Sequence, residues 1–144
     1  MPSWIYDGRI ITEMSDMPEG TFGFIYEVTH TPTGRKYIGK KVLYFNRTLP
    51  PLTDQKRKRK IVKESDWKTY FGSHAEIVGL IKEGKQEEFT KQILCFVRSK
   101  KLLTYYETKY LFIKEVLEYR NNYINDNVLG KFYRKDFITP DTDD

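Results

Sequence analysis

Residues 22–42 read Phe22-Gly23-Phe24-Ile25-Tyr26-Glu27-Val28-Thr29-His30-Thr31-Pro32-Thr33-Gly34-Arg35-Lys36-Tyr37-Ile38-Gly39-Lys40-Lys41-Val42. Phe22, Phe24, Tyr26 and Val28 alternate with smaller or polar residues, broken only at Ile25, which predicts a strand over Thr21 to Thr29. Thr31-Pro32-Thr33-Gly34 reads as a turn, because Pro suits the second position of a type I turn and Gly the fourth. Arg35 to Val42 then returns as the second strand of a hairpin.

Working outward, Phe89 to Val97 predicts a third strand. Ser73-His74-Ala75-Glu76 matches a capping box with Ser73 at the N-cap, followed by Ile77, Leu80 and Ile81 at helical spacing and ended by Gly84. Ser99 can cap a longer helix from Lys100 to about Glu118, with the stripe Leu103, Tyr106, Tyr110, Ile113 and Leu117. Residues 43–66 hold Pro50, Pro51 and a basic run without a sustained apolar period. They read as an extended loop with a short helix around Leu43 to Arg47. The stretch from Arg120 to Phe137, rich in Asn and aromatics, reads as irregular but packed. The expected architecture is one α/β (α+β) domain over 1–144. Its core is a small central three-stranded antiparallel sheet flanked by helices, and 48–72 is a basic loop insertion.

The 144 residues suffice for one buried core. Nine Phe, 11 Tyr and two Trp exclude a disordered chain. No apolar run approaches the ~18 residues of a membrane span, and Met1 to Gly20 carries too many charges to read as a signal peptide. Cys95 is the single cysteine, so no disulfide forms within the chain and no Cys-rich zinc site can be written. The expected compartment is the reducing cytoplasm, that of the host cell if a phage encodes the chain. Cys95 itself reads as a buried strand residue, and His30, beside the turn, as a surface one. No phosphate loop, dinucleotide fingerprint or nucleophile elbow is present.

The net charge of +5 is concentrated. Residues 35–68 carry +9, including Lys56-Arg57-Lys58-Arg59-Lys60, while acids such as Asp141, Asp143 and Asp144 gather near the ends. A basic segment on a mildly acidic body is a footprint for a polyanion; the plainer alternatives are a solvated loop or a localisation signal.

Phe24-Ile25-Tyr26 and Tyr37-Ile38-Gly39 on adjacent strands resemble the GIY-YIG nuclease superfamily. Phe24 departs from the first tripeptide, although Gly23 precedes it, and the second tripeptide matches in full. Trp67-Lys68-Thr69-Tyr70-Phe71-Gly72-Ser73 is similar to a segment of small phage-type members. The resemblance implies a metal-dependent endonuclease acting on double-stranded DNA. It places the family's catalytic Tyr residues at Tyr26 and Tyr37, its Arg at Arg47 (with Arg57 or Arg59 as alternatives), its Glu at Glu107 and its Asn at Asn125.

In that scheme Tyr26 is the base, with Lys40 as the cation that aids it, and Tyr37 hydrogen-bonds the water or the phosphate. Arg47 forks onto phosphate oxygens. Glu107 holds one Mg²⁺ (or Mn²⁺), and no residue beside it in the sequence is a clear ionic partner. Asn125 supports the site from behind, and His74 is a further base or phosphate ligand. Lys41, Lys56, Arg57, Lys58, Arg59, Lys60 and Lys63 contact the DNA backbone. Each residue also has a structural alternative: cross-strand aromatics for Tyr26 and Tyr37, an exposed helix acid for Glu107, a helix-end residue for His74. The alternative functions are a catalytically inactive nucleic-acid-binding module of the same fold and, further off, a domain whose basic loop binds an acidic protein. Cutting both strands needs a homodimer or two successive nicks. Homing-type relatives carry a separate recognition domain, and this sequence stops at Asp144, so the resemblance leaves three sources of target choice: the basic insertion, a partner, or nearly nonspecific cutting.

Overall fold

The computed structural model describes residues 1–118 and 122–137, and Arg47 in its backbone only. The chain runs β1 (Trp4–Tyr6), β2 (Arg9–Ile11), β3 (Gly23–His30), β4 (Arg35–Val42), β5 (Tyr44–Leu49), β6 (Arg59–Glu64), α1 (Ala75–Lys82), β7 (Phe89–Val97), α2 (Lys100–Ile113), β8 (Asn127–Val128) and β9 (Phe132–Tyr133). Short 3₁₀ turns lie at Met14–Asp16, Gln86–Glu88 and Arg134–Phe137. None of the described helices is long and apolar enough to cross a membrane.

The expected hairpin forms in register, with Tyr26 opposite Gly39 and Val28 opposite Tyr37. β7 pairs antiparallel with the other side of β3. These three strands are the expected antiparallel core, but the sheet has five, in the order β2-β1-β7-β3-β4. The added pair is an N-terminal hairpin whose first strand runs parallel to β7, Trp4 against Lys91.

β3 is covered on both faces. Phe24, Tyr26 and Val28 pack with Trp4, Trp67, Phe71 and Ile77 of α1. Ile25 packs oppositely with Ile38 of β4, Val97 of β7 and Leu103 and Leu111 of α2. A strand buried on both sides reads as an almost continuous apolar run, which accounts for Ile25 breaking the alternation. Each such large apolar side chain contributes roughly 1.5–3 kcal/mol by leaving water.

Several expectations are corrected. Residues 43–66 are not mainly loop, and no helix forms around Leu43 to Arg47: β5 and β6 pair as an antiparallel ribbon, with Arg47 opposite Ile61. Within 48–72, the part after Glu64 belongs to the core, where Trp67 and Phe71 are buried. The N-cap of α1 is His74 and not Ser73; its Nδ1 accepts the backbone N–H of Glu76. Ser99 caps α2 as expected, accepting from Leu102 N–H. α2 stops at Ile113, short of Glu118, because Glu115 turns left-handed (φ 52°), and Ile113 is exposed. The terminal acids Asp141, Asp143 and Asp144 lie outside the described residues.

Candidate active site

A cleft of about 310 Å³ opens beside the outer edge of β4, where α1, α2 and residues 125–129 meet. Five of the residues singled out in the sequence line it: Tyr37, Lys40, His74, Glu107 and Asn125. They come from β4, the start of α1, α2 and the segment after it.

The main-chain scaffold explains the convergence. Asn125 is buried and bonds both backbone groups of Ile38: its Oδ1 accepts the N–H at 3.1 Å and its Nδ2 donates to the carbonyl at 2.9 Å. Two residues earlier on β4, Lys36 N–H donates to Asn122 O, and Lys36 O accepts from Ile124 N–H. Residues 122–125 therefore act as a short added strand, and Asn125 supplies its last rung with a side-chain amide. Arg134 fixes this segment further, donating to the carbonyls of Tyr123 and Asn125.

On α2, Thr104, Glu107, Thr108 and Leu111 share one face and turn it into the cleft. The polar stripe beside the apolar one is the sequence signal for the two Thr residues, which the motif-based reading does not pick out. Glu107 does have a partner: Lys40 Nζ stands 3.7 Å from its Oε1 and donates to Thr104 Oγ1 at 3.4 Å. Burial raises the pKa of the Glu107 carboxyl, and the Lys40 ammonium works against that rise.

Tyr37 is half-buried at the cleft wall. Burial raises its pKa, and a hydrogen bond from Ser73 opposes the rise. Tyr26 lies deeper, 1% exposed, and reaches the site from across Gly39. Its pKa stands well above the usual value of 10, first because it is buried, then because Tyr70, Tyr37 and Glu107 disfavour a nearby negative charge. The rings of Tyr26 and Tyr70 meet edge-on at 5.9 Å. The expected aid from Lys40 goes to Glu107 instead.

His74 uses both ring nitrogens. Because Nδ1 accepts the Glu76 N–H, Nε2 carries the proton and donates to Asp126 Oδ2 at 2.8 Å. In this tautomer both ring nitrogens are engaged, Nδ1 at the start of α1 and Nε2 with Asp126.

Other expected residues lie apart. Lys41 is 8% exposed; its ammonium pairs with Asp66 Oδ1 at 2.6 Å and sits 3.8 Å above the Tyr70 ring, withdrawn from any solvent-facing surface. Lys56, Arg57, Lys58, Arg59, Lys60 and Lys63 are exposed on the ribbon and its connecting loop. The backbone of Arg47 is on β5, while its side chain lies outside what the structure describes. His30 is not a free surface group: its ring bonds Thr33 and Glu88. Cys95 is half-buried, and burial raises its thiol pKa.

Among the described residues no three His, Cys, Asp or Glu side chains gather as a metal cage. Glu107 and Asp126 are the carboxylates of the cleft. Asp126 is bonded to His74, which leaves Glu107, and one carboxylate in a roomy polar cleft fits Mg²⁺, which keeps several waters and takes phosphate oxygens to complete its shell. It does not fit a zinc centre, which needs three or four protein ligands.

No curated protein and no solved structure matches the chain. A family model described as "Putative endonuclease segE, GIY-YIG domain" matches residues 4–128, from the first residue of β1 to the last of β8. The match takes in both strands of the tyrosine hairpin, the helix that carries Glu107 and the Asn125 clamp, and the chain belongs to this family of GIY-YIG endonuclease domains.

Proposed function

We propose that this chain hydrolyses phosphodiester bonds of double-stranded DNA in the cleft beside β4, with one Mg²⁺ or Mn²⁺. The observation that carries the reading is the convergence of Tyr37, Lys40 and Glu107 in one polar cleft, with Tyr26 directly behind it. Glu107 is the residue that would hold the metal, which supplies charge stabilisation at the phosphate and the leaving oxygen.

Water adds to phosphorus, the bond from phosphorus to the 3′ oxygen breaks, and that oxygen takes a proton from solvent to leave as a hydroxyl. Tyr37, at the wall of the cleft, orients the water or a non-bridging oxygen. Lys40 leaves Glu107 for the incoming phosphate, a larger negative charge at the same place. Tyr26 acts as the base in its phenolate form: it takes the proton of the attacking water, becomes the neutral phenol, and returns that proton to solvent before the next turnover. A buried phenolate is costly, chiefly because it is desolvated; neutralising Glu107 removes one smaller contribution to the raised pKa of Tyr26. The exposed lysines and arginines of 56–63 hold the DNA backbone without regard to sequence.

A second reading, a binding module without cleavage, is favoured by the Lys40–Glu107 pair, which occupies the carboxylate a metal would use. Incubation with supercoiled plasmid, with Mg²⁺ and with EDTA, separates the two. Nicked or linear product that needs the metal, and is lost in Tyr26→Phe and Glu107→Ala, supports the enzyme. Salt-sensitive binding without product supports the module.

A further inference from the structure

The β5–β6 ribbon has a feature the proposed chemistry does not use. Among the described side chains neither strand has a buried face: β6 is exposed along its whole length, and Tyr44, Phe45, Ile61 and Val62 stand in solvent. A lone two-stranded ribbon is marginal in water, and so much exposed apolar surface on one arm is a mark of an interaction site. The arm is fastened at its base, where buried Leu43 accepts the N–H of Ser65, and Ser65 Oγ donates to Val42 O.

The two faces of the ribbon differ. Tyr44, Asn46 and Thr48 lie opposite Glu64, Val62 and Lys60, so these six share one side. Tyr44, Asn46 and Val62 of that side form one wall of a groove of about 440 Å³, and Lys40, Lys100 and Thr104 lie on the body side. Lys40 and Thr104 also line the cleft beside β4, so groove and cleft adjoin across these two residues.

We infer that the ribbon enters the major groove of duplex DNA beside the scissile phosphate and that its Asn46 face reads base edges there. This rests on the proposed endonuclease reading and adds a source of target choice to it. A two-stranded ribbon fits the major groove; Asn pairs with the exposed edge of adenine, and the methyls of Val and Thr meet that of thymine. The occupant is DNA because the loop and β6 carry Lys56, Arg57, Lys58, Arg59, Lys60 and Lys63 against Asp54 and Glu64.

The test selects duplexes from a randomised pool in EDTA, with the full chain and with an Asn46→Ala/Val62→Ala variant, and measures affinity for the enriched sequence. The parent enriches a motif. The variant's preference for it falls by about tenfold or more, the range that one bidentate pairing to a base supplies, while its binding to unrelated duplex changes little. The exposure of both residues lets the variant fold, checked by its melting temperature. Three results overturn the inference: a parent that enriches no motif, a variant that enriches the same motif with equal preference, or a DNA-free dimer that the variant dissociates, which would make the ribbon an interface between copies. Because binding is read without metal, a failure of cleavage on plasmid counts against the endonuclease reading alone.

Discussion

The ring of Tyr26 crosses the main chain of Gly39, its partner on the neighbouring strand, so closely that a Cβ at position 39 would stand 2.6 Å from Tyr26 Cζ. The glycine of Tyr37-Ile38-Gly39 is therefore required by packing: it clears the path by which a buried tyrosine reaches the edge of the sheet. Gly39→Ala is expected to destabilise by about 1–3 kcal/mol, the usual cost of overpacking, and to abolish cleavage by displacing Tyr26. The check is a double-mutant cycle with Tyr26→Leu by chemical denaturation. Most of the alanine's cost disappears when the ring is gone; an unchanged cost would place the clash elsewhere.

Asn125→Ala leaves the N–H and carbonyl of Ile38 without the partner that now satisfies both. Unpaired buried groups cost about 1–3 kcal/mol each, so a loss of about 2–4 kcal/mol is expected in urea unfolding. Asn125→Asp cannot donate to the carbonyl when ionised and is expected to do no better. Full stability in the alanine variant would show that the edge is held by other bonds.

Lys91 points into the core from β7, its ammonium 4.4 Å from the Trp4 ring and 4.3 Å from the Phe71 ring, with one hydrogen bond to Lys68 O. Desolvation lowers its pKa to about 7 from 10.5. Between those values the unfolded chain binds the extra proton, so stability rises with pH from 7 towards 10, by up to about 1.4 kcal/mol per pH unit. Below 7 the contribution is flat. Lys91→Met is expected to flatten the slope and to be more stable than the parent at pH 7. Parallel slopes for the two proteins, measured by thermal unfolding across this range, would refute the assignment. Above pH 10 the buried Tyr26 acts in the opposite direction, because its raised pKa makes the folded state hold its proton longer than the unfolded chain does.

Replacing Lys56, Lys58, Lys60 and Lys63 together by alanine is expected to weaken DNA binding for all sequences alike. The slope of log affinity against log salt should flatten by about 3–4, close to one for each phosphate no longer neutralised. The same measurement on Lys41→Met should leave the slope unchanged, because that ammonium is committed to Asp66.

The tyrosine hairpin was legible because alternation, turn chemistry and strand length agree over one continuous stretch, and the helix that carries Glu107 because Ser99 caps it. The N-terminal hairpin carries a signal of its own: Asp7-Gly8, both with positive φ, is a two-residue hairpin turn. Its strands have only three residues each, and what fixes them is the distant burial of Trp4 against Phe24 and Tyr26. The ribbon was hidden for the opposite reason. With no buried face, it shows no apolar period to find. The end of α2 was missed because a glutamate, Glu115, takes the left-handed position where a glycine would have announced the stop. Lys41 could not be told from its neighbours, since its partner Asp66 lies 25 residues away.

The outer edge of β4 has consequences for how two copies could meet. Residues 122–125 take the main-chain groups of Lys36 and Ile38, and Ser65 takes the carbonyl of Val42. At the far side of the sheet, β2 offers only three residues. An open strand edge is where sheets of separate molecules join and where aggregation begins. Here the protein has filled most of that template from its own chain, so two molecules working on opposite DNA strands would be brought together by side-chain surfaces or by the duplex itself, and not by a shared sheet.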